Sequence, residues 1–259
     1  MRDICLELQN VTQAFRGGLT AVRDVSFQIE RGAFVTLLGP SGCGKSTLFN
    51  IIAGLLIPTS GSVLLNGEPV MGVTGRVGYM LQRDLLLPWR TIEDNITISQ
   101  TLRGIPKRKA RAECKSLLSR CGLTGFEHAR PHELSGGMRQ RAALMRTLMT
   151  GREVLLLDEP FGALDALTRL QLQLLLREIW QDTGRTILLV THDVDEALLL
   201  SDRIIVMTER PGTILEELPV PLPHPRTPES LAEPEMAALK ARLMRLLWQE
   251  SNPIKEADA

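Results

Sequence analysis

A glycine-rich segment at residues 39–47 constrains the fold of this chain more than any other part of its 259 residues. It satisfies every position of the pattern G-x-x-x-x-G-K-[ST], and it follows an apolar run at residues 35–38 that is typical of a buried strand. The residues of this loop are Gly39, Pro40, Ser41, Gly42, Cys43, Gly44, Lys45, Ser46 and Thr47. A strand, such a loop and a helix in this order predict a nucleoside triphosphate as the ligand.

The residue types of the loop suit a small, highly charged anion. Backbone N–H groups serve as donors where no side chain blocks their approach, and the three glycines remove that obstruction. A helix expected at residues 45–53 would direct its N-terminal dipole at the phosphates. We expect Lys45 to bridge the β- and γ-phosphates and the Ser46 hydroxyl to bind Mg²⁺. The alternative is a glycine-rich turn without a ligand.

Composition narrows the class of protein. The chain has 30 basic and 30 acidic residues, so its formal net charge of zero implies no broad attraction to nucleic acid or anionic lipid. A hydrophobic content of 44% with only 4% aromatics suits an aliphatic α/β protein. The four cysteines form no C-x-x-C pair, which fits a reducing cytosol. No run approaches the ~18 apolar residues of a membrane helix, so we expect any membrane crossing to be made by another chain.

Hydrophobic periodicity predicts strands at both ends of the chain and helices between them. The predicted strands are residues 4–8, 25–29, 35–38, 62–65, 154–157 and 186–190. Residues 83–151 are predicted to form a helical insertion, and a leucine-rich helix is expected at residues 166–181. The connector after residue 215 contains Pro219, Pro221, Pro223 and Pro225. It is expected to be extended and to lead into an amphipathic helix at residues 229–249.

Two adjacent carboxylates, Asp158 and Glu159, follow the apolar strand predicted at residues 154–157. Ligands of open α/β sheets bind at the carboxyl ends of the strands, where this pair would lie. We expect Asp158 to serve the Mg²⁺ site and Glu159 to act on an attacking water as general base or orienting group. An acidic cap at a helix N-terminus is the alternative.

Two further polar groups are predicted to contact phosphate. His192 follows the strand predicted at residues 186–190, so it would lie at the same edge and could bond the γ-phosphate. An ordinary surface histidine is the alternative. Residues 135–137, Ser-Gly-Gly, precede a helix and offer a hydroxyl, two backbone N–H groups and a helix dipole to an anion. Simple N-capping would also explain the serine.

Together these segments resemble the ATP-binding cassette (ABC) ATPases over residues 1 to about 215, with all motifs in family order. The matching positions are the phosphate loop 39–47, the glutamine-loop residue Gln82, the signature 134–140, the Walker B segment 154–159, the D-loop 163–165 and the switch His192. The resemblance implies ATP and Mg²⁺ as cofactors and catalysis by Glu159, His192, Lys45 and Gln82. Gln82 would contact Mg²⁺ or the water. Phe15 would stack on adenine, unless it is a strand-core phenylalanine.

The resemblance also implies an architecture. It predicts an α/β fold with a P-loop NTPase (RecA-like) core, an N-terminal antiparallel β subdomain and an inserted α-helical subdomain that carries the signature. The ATPase domain would span residues 1–215, with its core at 1–82 and 152–215, and residues 216–259 would form a connector and C-terminal helix. Since two cassettes pair head to tail in this family, Ser135, Gly137 and Asp165 would reach the ATP of a second subunit.

A narrower resemblance, to importers of nitrate, sulfonates, taurine and similar solutes, rests on residues 79–91, the signature and residues 207–212. It implies a peripheral protein on the cytoplasmic side of the cell membrane. Its partners would be a second ATPase subunit, which we expect to be identical, an integral membrane permease and a solute-binding protein acting with that permease. Leu87, Pro88 and Trp89 would form a groove for the permease or pack the helical insertion.

A soluble ABC ATPase that acts on ribosomes or DNA is the competing interpretation. Such proteins usually carry two cassettes or long coiled-coil insertions, and this chain shows neither. Its main basic cluster is Arg103, Lys107, Arg108, Lys109 and Arg111, and it contains no aromatic residue. We expect that cluster to be a solvated helix face and expect no nucleic-acid partner. A P-loop GTPase or kinase would leave residues 135–137 unexplained.

Overall fold

The computed structural model describes residues 3–162 and 164–251, and the N-terminal part of the chain forms a four-stranded antiparallel sheet. Its strands are β1 (Ile4–Ala14), β2 (Thr20–Glu30), β4 (Ser60–Leu65) and β5 (Glu68–Pro69), in the order β2-β1-β4-β5. Val25, Phe27 and Ile29 are buried and their neighbours along β2 are exposed, which is the period of a strand with one face on a core. The prediction of an antiparallel β subdomain is confirmed.

Parallel strands carry the glycine-rich loop. Strand β3 (Phe34–Leu38) lies between β8 (Thr186–Thr191) and β9 (Arg203–Met207), and both neighbours run parallel to it. Strand β10 (Ile214–Pro219) pairs antiparallel with β9 at the edge. Every residue of β3 and β8 is buried, as their lack of alternation predicts for strands covered on both faces.

Contacts divide the chain into two units. The first contains the residues up to Arg76 together with those from Thr186 onward, and the second is Val77–Arg185. Besides the strands above, the first unit contains α1 (Lys45–Ile52), α7 (Val194–Leu200) and α8 (Pro234–Ser251). In the second unit, β6 (Gly78–Met80) pairs in parallel with β7 (Val154–Asp158). Its helices are α2 (Ile92–Ile96), α3 (Ile98–Leu102), α4 (Lys107–Arg120), α5 (Gly136–Leu148) and α6 (Ala166–Thr183).

Side-chain caps explain where three of these helices begin. Thr91, Ser135 and Asp165 stand before α2, α5 and α6, and each side chain accepts a backbone N–H of the first turn. Such caps satisfy donors that have no partner inside the helix. The predicted helical insertion at residues 83–151 contains four α-helices and a short 3₁₀ helix, Pro131–Glu133, among the described residues.

Helix α4 is amphipathic, and its basic residues lie in solvent as predicted. Ala110, Cys114 and Leu118 recur every four residues and are buried, whereas the charged residues between them are exposed. Arg111 makes an ion pair of 2.9 Å with Glu93. The prediction of a solvated helix face is confirmed for the four basic residues of α4, whereas Arg103 of the predicted cluster follows α3 and is exposed there.

The C-terminal region differs from its prediction in two places. Pro219 belongs to the edge strand β10 and not to the extended connector, because the last residue of an edge strand needs no N–H donor. The helix predicted at residues 229–249 begins at Pro234, after a short 3₁₀ helix at Pro228–Ala232. Proline favours the first position of a helix, where its missing N–H has no partner to lose.

Helix α8 covers part of the core of the first unit. Its Met236 and Leu243 are fully buried in one apolar cluster with Leu38, Val194 and Leu198. The C-terminal helix therefore belongs to the same apolar cluster as Leu38, the last residue of the strand that precedes the glycine-rich loop. Among the described residues, no helix combines the length and the hydropathy that a bilayer-spanning segment requires.

Candidate functional site

The predicted phosphate loop connects β3 to α1, and its glycines permit close backbone contacts. Gly44 has a φ of 106°, and a Cβ there would lie 2.5 Å from Cγ1 of Val22 and 2.8 Å from the carbonyl oxygen of Ala21. Gly42 also has a positive φ, of 80°. Side chains at these positions would strain the backbone or collide with β2. The loop conformation therefore requires glycine at position 44, which the motif specifies, and favours it at position 42, which the motif leaves open.

Lys45 is the most constrained side chain of the loop. It is only 7% exposed, and its Nζ donates hydrogen bonds of 2.7 Å to the carbonyl oxygens of both Gly39 and Pro40. The ammonium group is thus held over the loop by neutral acceptors, which a phosphate oxygen can replace with a stronger charge-assisted bond. Gly44, the residue before α1, has no side chain that could accept the first N–H groups of the helix, so an anion can bind them.

His192 and Phe15 lie in the same unit as the loop. His192 is exposed at the end of β8, and Asp193 after it caps α7 by accepting the N–H groups of Asp195 and Glu196. His192 also lines a cavity of about 490 Å³ together with Lys240 and Trp248 of α8 and other residues. Phe15 follows β1 and is 42% exposed. The strand-core alternative for Phe15 is wrong, because its ring is available at the surface.

In the second unit, Asp158 and Glu159 end β7 as predicted. Asp158 is buried, with 3% of its surface exposed. Glu159 has a φ of 48°, in the left-handed region that a glutamate rarely adopts. Its Oε2 accepts a hydrogen bond of 3.1 Å from the side-chain amide of Gln82, so these two predicted catalytic residues are in contact. Burial and the Asp158 carboxylate both raise the pKa of Tyr79.

The signature residues begin helix α5. The Oγ of Ser135 accepts the N–H of Met138 at 3.3 Å, while Ser135 and Gly136 are exposed. A Cβ on Gly137 would lie 3.0 Å from Cδ2 of Leu164, which explains the second glycine as a close packing position. The capping interpretation of the serine is correct, and it leaves the exposed backbone available to a further ligand.

Asp165 is the last predicted binding residue. It is exposed and caps α6 through a 3.0 Å bond from the N–H of Thr168 to Oδ1. The backbone hydrogen bond from Thr168 holds the pKa of Asp165 below its usual value. Ala163, the first residue of the predicted D-loop, lies outside the described residues.

Several contacts that organise this unit were not predicted from the sequence, although two of the residues that make them, Arg139 and Gln140, lie in the signature 134–140. Gln140 is buried, and its side-chain amide donates to the backbone oxygen of Glu159 at 3.3 Å. Arg139 makes an ion pair of 3.0 Å with Asp84, and Arg146 donates to the backbone oxygens of Asp84 and Leu85. Arg139 and Arg146 are seven residues apart and so share a face of α5. Two arginines at this spacing, together with the acidic Asp84 in the preceding segment, were the sequence signal that could have predicted these contacts.

Comparison with known proteins gives a consistent result. The ABC transporter family model matches residues 22–162. An uncharacterized ABC transporter ATP-binding protein of Methanocaldococcus jannaschii is 43% identical over 248 residues, 95% of this chain and 92% of the relative. A taurine import ATP-binding protein of Roseobacter denitrificans is 39% identical over 257 residues, 96% of each chain.

A solved structure agrees with these sequence matches. It is an ATP-binding cassette described as dimeric, in a post-hydrolysis state and bound to ADP and Pi. It is 29% identical, with a TM-score of 0.74, and the match covers 83% of this chain and 98% of that one. The predicted P-loop NTPase fold is confirmed. The chain belongs to the ABC transporter family and is one of its ATPases.

Proposed function

We propose that this chain is the ATP-hydrolysing subunit of an ABC importer that takes up a small anion or organic solute, such as nitrate, a sulfonate or taurine. The similarity to a taurine import protein along 96% of both chains supports the direction of transport and the class of solute. The observation that carries the ATPase role is the contact between Gln82 and Glu159 at the end of β7, because it orients a carboxylate for work on a water molecule.

In this proposal the loop at residues 39–47 holds the phosphates of ATP, and Lys45 contacts the β- and γ-phosphates. Ser46, Gln82 and Asp158 each offer an oxygen donor, the ligand type that Mg²⁺ prefers, so the residues fit this ion. Bound Mg²⁺ supplies positive charge that neutralises the phosphate oxygens. Glu159 accepts a proton from the attacking water, His192 donates to the γ-phosphate and Phe15 stacks on adenine.

A second cassette completes each site in this proposal. Ser135, Gly137 and Asp165 would contact the ATP or interface of the partner subunit. Their environment supports this role, because Ser135 and Asp165 are exposed and Gly137 is half-buried, so the partner could reach them. The dimeric state of the related cassette bound to ADP and Pi supports it further. We expect the partner to be a second copy of this chain.

The permease contact is proposed at the turn that contains Leu87, Pro88 and Trp89. Trp89 is 69% exposed, so it does not pack the helical insertion. The fully buried side chain of Asn95 holds this turn, because it accepts the N–H of Leu87 at 2.7 Å and donates to the carbonyl oxygen of Leu87 at 3.1 Å. An exposed tryptophan on a braced turn is typical of an interface. The chain would thus work at the cytoplasmic face of the membrane, with a solute-binding protein acting on the permease.

The alternative of a soluble ABC ATPase acting on ribosomes or DNA is not favoured. Four of the five basic residues of the cluster lie on the exposed face of α4, where Arg111 pairs with Glu93, and the taurine relative is an import protein.

The variant Glu159→Gln tests the ATPase proposal. It keeps the size of the side chain and removes the base, so we expect Mg·ATP to remain bound, the protein to become dimeric in sizing experiments and turnover to fall by about 10²–10⁴-fold. Glu178→Gln, on the exposed face of α6, is the matched control and should behave as the parent. Parental turnover in Glu159→Gln would refute the role of Glu159. Capture of ribosomes instead of an integral membrane protein by the tagged parent chain would refute the transport role.

A further inference from the structure

The segment 207–212, which starts at the last residue of β9, lies directly against the phosphate loop. A Cβ on Gly212 would lie 2.0 Å from the carbonyl oxygen of Cys43, so the two backbones are in contact without room for a side chain. At the start of the loop, a Cβ on Gly39 would lie 3.1 Å from both Cβ and the carbonyl oxygen of Met207. The loop is therefore packed against the segment 207–212 at two points.

Arg210 lies in the same segment and makes a polar contact with the phosphate loop. Its Nε and Nη2 donate hydrogen bonds of 2.9 and 2.7 Å to a single acceptor, the carbonyl oxygen of Gly42. Two bonds from one planar guanidinium restrict the direction of that carbonyl more than a single donor would. Gly42 also has little room on this side, since a Cβ there would lie 3.3 Å from Nη2 of Arg210.

The direction of the Gly42 carbonyl determines the direction of the next backbone N–H group, which can donate a hydrogen bond to a phosphate. The peptide group is planar and trans, so the carbonyl of Gly42 and the N–H of Cys43 point in opposite directions. With the carbonyl held outward by Arg210, the N–H of Cys43 points into the loop. There it makes a long hydrogen bond of 3.4 Å to the carbonyl oxygen of Pro40, a weak bond that an anionic acceptor can replace.

The turn that presents Arg210 is itself fixed by hydrogen bonds. Thr208 and Thr213 close it, because the Thr208 N–H donates to the Thr213 carbonyl at 3.1 Å and the Thr213 N–H to Oγ1 of Thr208 at 2.9 Å. The N–H of Glu209 donates to Oε2 of Glu250, in α8, at 2.8 Å. The N–H of Gly212 bonds the carbonyl of Ala21 at 2.9 Å. Arg210 thus extends from a rigid support.

We propose that Arg210 is a positioning residue for nucleotide binding, which sets the Gly42–Cys43 peptide so that a backbone donor faces the phosphates before ATP arrives. This inference rests on the proposed binding of ATP phosphates at residues 39–47. Arg210 acts through the loop and does not itself take part in hydrolysis. A donor set in advance stabilises bound substrate and transition state alike, so its loss raises KM and leaves kcat nearly unchanged.

The test compares Arg210→Ala and Arg210→Lys in the full chain, with Arg242→Ala as the matched control. Arg242 lies on α8 and pairs with Glu216, away from the loop. We expect Arg210→Ala to raise the Kd of Mg·ADP about tenfold, to raise the inhibition constant of inorganic pyrophosphate against labelled ADP by the same factor, and to change kcat less than about twofold. Lysine keeps one donor and should give an intermediate value.

The outcomes separate this inference from the function on which it rests. If the parent chain does not bind Mg·ATP, the proposed function fails before any variant is considered. If the parent binds and the alanine and lysine variants bind ADP as the parent does, the role of Arg210 is refuted. A weakened affinity for ADP with parental affinity for pyrophosphate also refutes it, because the effect would not act on the phosphates. If Arg210→Ala lowers Tm but leaves the affinities for ADP and pyrophosphate at their parental values, the residue acts on stability alone and the proposal is refuted.

Discussion

The side-chain amide of Gln82 lies 3.1 Å from Oε2 of Glu159, and this hydrogen bond joins two residues that are 77 positions apart in the chain. It connects the segment after β6 to the end of β7, two strands that pair in parallel. The backbone of Glu159 is in the left-handed region, with a φ of 48°. Its carboxylate is therefore held from both sides, by a strained backbone and by a neighbouring amide, as is typical of catalytic positions.

Replacing Gln82 with leucine removes both the hydrogen bond to Glu159 and one of the proposed Mg²⁺ donors, and we expect the loss of the hydrogen bond to dominate its effect on turnover. The change removes one hydrogen bond to a charged group, worth ~1.5 kcal/mol, so we expect kcat for ATP to fall about tenfold with a smaller change in KM. Steady-state ATPase kinetics measure both. Gln181→Leu, at an exposed position of α6, is the control. A parental kcat in Gln82→Leu would show that this hydrogen bond does not contribute to turnover.

Alanine substitutions at two glycines with nearly the same φ should distinguish the cost of backbone strain from the cost of steric overlap. Gly17 has a φ of 102° and open space around a Cβ, whereas Gly44 has a φ of 106° and would place a Cβ 2.5 Å from Val22. We expect Gly17→Ala to lower the free energy of unfolding by about 1 kcal/mol, and Gly44→Ala to lower it by about 3 kcal/mol and abolish nucleotide binding. Chemical denaturation and ADP titration test this. Equal losses in the two variants would contradict it.

Arg226 should be essential for stability and not for catalysis. It is 2% exposed, and its guanidinium donates to the carbonyl oxygens of Leu222, Leu198 and Ser201. Burial lowers the pKa of Arg226 to about 10, so it remains charged at neutral pH. Arg226→Met leaves three carbonyls without this donor and should lower the free energy of unfolding by about 3 kcal/mol.

Calorimetry measures that loss as a decrease in Tm of roughly 6–12 °C. Arg242→Met, on the half-exposed side chain that pairs with Glu216, should change Tm little. If Arg226→Met retained the parental Tm, the buried guanidinium would be dispensable to the fold.

Two buried thiols should make the second unit sensitive to alkaline pH. Burial raises the pKa of Cys114 and of Cys121 from 9.0 to about 12. Above pH 9 the unfolded chain loses these protons before the folded chain does, so the free energy of unfolding decreases as the pH rises. Each thiol contributes a slope of up to ~1.4 kcal/mol per pH unit between these two values.

Urea denaturation at about pH 8 and about pH 10.5 measures this slope. The double variant Cys114→Ala/Cys121→Ala should show a shallower decrease than the parent, although its stability at the lower pH is reduced by the cavities. Parallel decreases in the two proteins would contradict the assignment to the thiols.

The parts of the fold that could be predicted from the sequence are those that depend on local pattern. Continuous apolar runs identified β3, β7 and β8, and Ser135 identified the start of α5 by its capping chemistry. The start of α8 at Pro234 was missed, because an apolar periodicity that continues from residue 229 outweighed the proline that interrupts it. The roles assigned to the site residues remain predictions that the experiments above address.

The contacts that support the site could not be predicted in this way. Arg210 binds a carbonyl 168 positions away, and Gln140 of α5 binds the backbone of Glu159, which follows strand β7. In each of these hydrogen bonds the acceptor is a backbone carbonyl oxygen. Because every residue has such an oxygen, the sequence does not indicate which one will be the acceptor. Only the packing of the folded chain selects it.

The burial of Met236 and Leu243 beside Leu38 affects how deletion experiments on this protein must be interpreted. A chain that ended before Pro234 would lack two fully buried members of the apolar cluster that also contains Leu38, the residue just ahead of the glycine-rich loop. Loss of ATP hydrolysis after such a deletion would therefore result from disrupted packing of the hydrophobic core. It would not show that the C-terminal helix regulates ATPase activity. Substitutions on the outward face of α8, such as Arg245→Ala, are the appropriate tool for that question.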